Sequence, residues 1–231
     1  EQNGLFDSLI RFPMSEVAAS LNGALGSNQW LVTAAALVVN EVGAPGNAIF
    51  NRGVGAFEIR WISSDTWVEG TGTPNAPTAD GIAYDDLSSV LNPGADVSLG
   101  QFTNGGVDGS LSFPLRLVGG LVSNVLAGAD LNLYLTAAST SVGFTFNSRH
   151  FSEASSWPSL NLTVIAKPRV LIASIEQPAA NRVVLRFNTE SNWTFVVQSL
   201  DGLSAGSPGG WSNLFTVAPD LLMTRLSLST R

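Results

Sequence analysis

On either side of a polar loop in residues 142–164, apolar side chains recur at every second position. Val142, Phe144 and Phe146 precede the loop; Leu160, Leu162 and Val164 follow it. Period two is the pattern of strands that lay one face on a core, and the stretch reads as a strand pair closing a β-sandwich. The same alternation runs through residues 56–62, with Phe57, Ile59 and Trp61 against Glu58 and Arg60. It returns in residues 129–136 through Leu131, Leu133 and Leu135. Residues 30–41 carry apolar residues on both faces and predict a buried strand, although their alanines would also tolerate a helix. Residues 97–102 and 111–118 predict two more, parted by the turn-rich Asn-Gly-Gly-Val-Asp-Gly of 104–109. Residues 5–12 form a short apolar strand that Pro13 stops, because proline cannot donate to a ladder.

Helical spacing is scarcer. Leu121, Val122, Val125 and Leu126 share one helical face and predict a short helix ending at Gly128, and residues 15–25 read as a helical turn or a covering loop. Lys167-Pro168-Arg169 then marks a boundary. Beyond it five further strands are predicted at 170–175, 182–187, 193–199, 211–217 and 222–228, with turn signals at 177–181, 188–192 and 201–210. The expected architecture is all-β: an antiparallel sandwich over residues 1–166, then a small β-module over 170–231, either minimal or cut short at Arg231.

Composition narrows the function classes. Charged residues make up 13% of the 231 positions, about half the share of an ordinary soluble domain, while 45% are hydrophobic. So little polar surface points to apolar area covered by other copies or another partner. Eighteen acidic against eleven basic residues give a net charge of −7, with Lys167 the sole lysine. A nucleic-acid partner is excluded on this ground, since phosphate binding needs a concentrated basic surface. The absence of cysteine removes disulfides, thiolate nucleophiles and Cys-ligated metals. The longest apolar run, residues 30–39, is half the ~20 residues that span a bilayer as a helix, so no transmembrane segment is expected. The opening Glu-Gln-Asn-Gly is unlike a basic-then-apolar leader, and the chain is read as a mature or trimmed form.

Candidate chemistry is sparse. Residues 65–86, rich in Gly, Pro, Thr and Asp, make a loop long enough to suggest function. Trp67 and Tyr84 within it, with Trp157, are the candidate aromatic platform for a polysaccharide, set against the plainer reading that loop aromatics cap a sandwich end. Trp61 belongs to the core face of its strand. Asp80, Asp85 and Asp86 are the candidate oxygen ligands should a cofactor be present, which would be calcium; a solvated acidic loop is the plainer reading, and no cofactor is expected. His150, the only histidine, cannot build a multi-histidine site, and its neighbour Arg149 suits an anchor to Asp65 or Glu69. Gly202-Leu203-Ser204-Ala205-Gly206 has the spacing of a nucleophile elbow, but Pro208 and further glycines preclude the helix that an elbow needs. The sequons at Asn161 and Asn192 fall on predicted strands and read as incidental.

Three passages together carry a resemblance: LFDSLIRF at residues 5–12, SSDTWVEGTG at 63–72, and FNSRHFSEASSWPSLNLTV at 146–164. With them residues 1–165 resemble the DNRLRE domain, a jelly-roll-like sandwich of large secreted bacterial surface proteins. WTFVVQSLDGL and WSNL make residues 170–231 resemble fibronectin-III-like modules. The resemblance implies a secreted, non-enzymatic protein of the cell surface. Members of the DNRLRE family usually carry one or two strands upstream of the Arg-Phe strand, whereas this chain begins almost on it. That implies missing residues or an open sheet edge at Leu5, Phe6, Leu9 and Ile10, where a neighbouring copy could add a strand. The leading expectation is a self-assembling structural subunit of a fibre or matrix, a homo-oligomer or homopolymer; the alternative is a carbohydrate-binding or adhesive module.

Overall fold

A computed structural model describes residues 7–42, 53–72, 78–168, 170–180, 182–189, 193–200, 211–217 and 223–229. The chain divides into two compact units, residues 1–166 and 167–231, at the charged, proline-bearing link.

The first unit is an antiparallel sandwich of a four-stranded and a three-stranded sheet. Strands β1 (Ser8–Phe12), β3 (Gly55–Ile62), β4 (Val97–Asn104) and β6 (Leu131–Ala137) build the larger sheet in the order β1-β6-β3-β4. Strands β2 (Trp30–Glu41), β5 (Gly109–Leu115) and β7 (Ser159–Ala166) build the smaller one in the order β5-β2-β7. Period two puts Trp30, Val32, Ala35, Leu37 and Val39 of β2 inward, where they meet Phe57 and Ile59 of β3 and Leu131, Leu133 and Leu135 of β6. A register shift between Val32 and Ala34 keeps the inward set aligned along a 12-residue strand. Pro114 sits inside β5 because β5 is an edge, where the missing N–H breaks no ladder.

Two helices close one end. α1 (Ser15–Leu25) and α3 (Gly119–Ala127) pack on each other, and Trp30, fully buried, donates from Nε1 to Asn22 Oδ1 of α1 at 2.9 Å. Residues 15–25 are thus a three-turn helix, not an isolated turn or loop. Gly128 ends α3 at φ 69°, where its N–H reaches the carbonyls of Asn124 and Val125, the left-handed cap that glycine takes without a Cβ penalty.

The opposite end departs from expectation. Residues 142–146 do not pair with β7. Gly143 bridges Gly53 beside β3, Phe146 bridges Glu41 on β2, and the segment crosses from one sheet to the other. Its Phe144 ring stands 4.7 Å from Phe57 and 5.8 Å from Phe113. Alternation here reflects one side chain in two entering the core from a crossing segment. Gly53 also meets this segment closely: a Cβ there would lie 2.1 Å from the Ser141 carbonyl oxygen.

The second unit has one three-stranded sheet, β12-β9-β8, and one two-stranded ladder, β10-β11. These are β8 (Ile172–Ala179), β9 (Arg182–Asn188), β10 (Phe195–Leu200), β11 (Trp211–Val217) and β12 (Met223–Ser229). Val184, Phe187 and Val217 are buried, while Leu171, Ile172 and Ile175 are more than 60% exposed. β8 takes up the first part of the turn expected at 177–181 and ends at Ala179, which pairs with Arg182; Pro178 is tolerated there because it lies on an edge strand at a register irregularity. No helix among the described residues is long and apolar enough to cross a membrane.

Candidate functional site

The long connection from β3 to β4 lies over the outer face of the larger sheet, and its attachment explains why β6 is buried on both faces. Ile62, Trp67, Val90 and Tyr134 form a second apolar cluster there, joined by Leu9, Ile82, Leu87 and Leu91. Asp96, buried, ties both ends of the connection: Oδ1 accepts from the N–H and hydroxyl of Ser63 at 2.9 and 3.0 Å, and Oδ2 from the N–H of Asn92 at 2.6 Å.

Arg11 of β1 is the clamp. Its guanidinium donates to the Asp65 and Trp67 carbonyls at 2.8 and 2.6 Å and to Asn132 Oδ1 at 3.0 Å. Its Cζ sits 4.4 Å from the centre of the Trp67 ring, and Asp130 lies 3.7 Å away. The Trp67 Nε1–H donates to the same Asn132 oxygen at 3.0 Å. Trp67 is 9% exposed. A ring sealed below by the sheet and above by a guanidinium offers no free face to a sugar, which is the plain physical sense of its place in a loop. Asn132, Asp96 and Tyr134 hold this arrangement together and escaped the sequence reading. The one signal for the first and last was a polar or amphipathic residue at each even position of an otherwise leucine-rich strand.

The candidate carboxylates do different work. Asp80 accepts from the Thr78 hydroxyl and from the hydroxyl and N–H of Thr71. Those hydrogen bonds, Thr78 first, pull its carboxyl from the ordinary 3.8 down to about 2. Beside it the loop crosses itself: Ile82 N–H donates to the Val68 carbonyl, and Gly70 and Gly81 pass so closely that a Cβ on Gly81 would lie 2.3 Å from the Gly70 Cα. Asp86 accepts from the Ala83 N–H at 3.3 Å within the 3-10 turn Tyr84–Asp86, which leads into the one-turn helix α2 (Leu87–Val90). Among the described residues no three His, Asp or Glu side chains converge on a point a cation could occupy.

Asp85 and Tyr84 instead line an open groove of about 550 Å³ with Asp7, Leu87, Ser88, Leu91, Pro93 and Tyr134. Tyr84 is 48% exposed. The Tyr134 hydroxyl donates to Asp7 Oδ2 at 2.5 Å; burial, then that carboxylate, push its phenol up to about 12. Trp157, 42% exposed, donates from Nε1 to the Phe151 carbonyl at 2.7 Å. Of the three candidates, Tyr84 and Trp157 present partly exposed rings while Trp67 is covered.

The loop carrying the histidine meets the long connection at Glu69. Arg149 Nη2 lies 2.5 Å from Glu69 Oε2 and His150 Nε2 3.0 Å from Oε1, all three exposed. The carboxylate that holds Arg149 is therefore Glu69 and not Asp65. Ser204 and its glycines lie outside the described residues.

Leu5 and Phe6 also lie outside the described residues. Leu9 and Ile10 are on β1, which among the described residues ends the larger sheet and pairs only with β6, Ser8 opposite Leu135 through Phe12 opposite Leu131. Ile10 turns to the core and Leu9 to the outer cluster, and all five residues of β1 remain half-buried. No protein-family model and no curated protein matches this chain.

Proposed function

We propose that the chain is a non-enzymatic structural module of an extracellular surface protein that associates with copies of itself through its sheet edges. One observation carries the reading: among the described residues β1 ends its sheet, and although it is only five residues long it lacks the other devices that usually protect an edge. It contains no lysine and no proline, and its single charge, Arg11, is spent inward on Asn132 and the loop carbonyls. An edge of that kind offers unpaired N–H and C=O groups to another strand. The acidic, nearly lysine-free, weakly charged composition fits an extracellular setting and a surface covered in an assembly. Light scattering across concentration, with negative-stain microscopy of native material, tests it. Mass rising with concentration and ordered particles or fibres are expected; a chain that stays monomeric at high concentration overturns the proposal.

A second reading, carbohydrate binding, has the Tyr84 groove as its support. The half-exposed ring and the Asp7 and Asp85 carboxylates offer a stacking surface and hydroxyl acceptors. Retention on an insoluble polysaccharide column that Tyr84→Ala abolishes supports this reading. No retention, or retention unchanged in that variant, removes it.

A further inference from the structure

The four edges of the sandwich differ in a way that singles out one side. β4 and β5 are consecutive, touch each other, and end different sheets, so they form one side. That side is closed. The Arg116 N–H donates to the Leu99 carbonyl at 2.8 Å and its guanidinium to the Ser98 carbonyl at 2.7 Å, both on β4, while β5 carries Pro114 and begins at Gly109. The remaining edges, β1 and β7, fall together on the other side. β7 has no charged residue and no proline from Ser159 to Ala166, and β1 commits its one charge inward. Among the described residues of the first unit, both sheets are therefore open on the same side and tied across on the other.

We infer that a second copy of this chain docks there about a twofold axis perpendicular to the sheets, β1 against its symmetry mate and β7 against its own. The inference rests on the self-association proposed above and names its surface. A twofold axis sets each edge strand antiparallel to its copy, the pairing both sheets already use. One operation thus satisfies two edges, which a single extended segment from another protein cannot do. Charge agrees: copies at −7 repel, and neither edge strand carries a carboxylate. The contact is small. Two ladders of five and eight residues across a sandwich ~10 Å thick bury well under the ~800 Å² per partner of a stable interface. Association is therefore concentration-dependent, and because salt screens the repulsion between copies at −7 while main-chain hydrogen bonds hold the contact, added salt strengthens it.

The chain has no cysteine, so each single-cysteine variant reports only contact between copies. A disulfide needs Cα atoms within ~7 Å, a distance met across a twofold axis only close to the axis. Asn161→Cys, Thr163→Cys and Leu9→Cys, oxidised at a concentration where the wild type associates, are expected to yield a linked dimer at one or more of the β1 and β7 positions. Ser112→Cys on β5 is expected to yield none. Asn161 and Thr163 are exposed, so Asn161→Lys with Thr163→Lys is expected to keep the wild-type melting transition while returning the mass to that of a monomer. A wild type that associates while no β1 or β7 variant links, or a lysine variant that associates unchanged, overturns this surface and leaves self-association standing. A wild type that stays monomeric overturns both.

Discussion

Arg11 joins a short edge strand to a long connection that has little regular structure among its described residues. Its guanidinium spends donors on two carbonyls and on Asn132 while covering the Trp67 ring. Arg11→Ala is expected to cost about 2 kcal/mol, since two backbone acceptors and a buried amide lose their donor together; a urea unfolding midpoint measures it. Arg11→Lys is expected to recover little, because one ammonium cannot reproduce the planar fork. Asp80 supplies a pH signature. Its folded carboxyl titrates at about 2 against an ordinary 3.8, so its stabilisation is complete above pH 3.8 and is lost as pH falls towards 2. Unfolding midpoints of wild type and Asp80→Asn over that range are expected to converge on acidification; midpoints that stay parallel contradict the assignment.

At the scale of elements, Gly128 links sequence to geometry most directly. Its positive φ, with the Ala18 Cβ 3.2 Å from where its own would be, predicts that Gly128→Ala costs about 1–2 kcal/mol, while Gly105→Ala, with nothing within 4 Å, is expected to cost no comparable steric penalty. Differential scanning calorimetry of the two variants makes the comparison. The helix ending there was legible because four apolar positions at helical spacing precede a glycine. β2 was legible along most of its length because only Thr33 interrupts its apolar run before Asn40. Residues 142–146 misled for a physical reason: alternation records which side chains enter a core, and a segment crossing between sheets enters it as a strand does. Asn132 was invisible for a related reason, since a polar residue on a strand usually faces water and this one faces a loop 65 residues away in sequence. Trp67 could not be placed from sequence because the guanidinium that covers it comes from β1.

For the whole molecule, two sheets around an apolar core followed clearly from pattern and composition, whereas the asymmetry between a sealed and an open side did not. That asymmetry depends on Arg116 reaching β4 and on the order of strands, neither of which the period of apolar residues encodes. Under the proposed assembly, one side is blunted against indiscriminate pairing and the other receives the second copy. Amide hydrogen exchange of the full chain at low and high concentration addresses this most directly. Outward N–H groups of β1 and β7 are expected to exchange quickly when dilute and to gain protection together as concentration rises, with those of β4 and β5 unchanged. If mass rises with concentration while protection at β1 and β7 stays constant, the open side is not where copies meet.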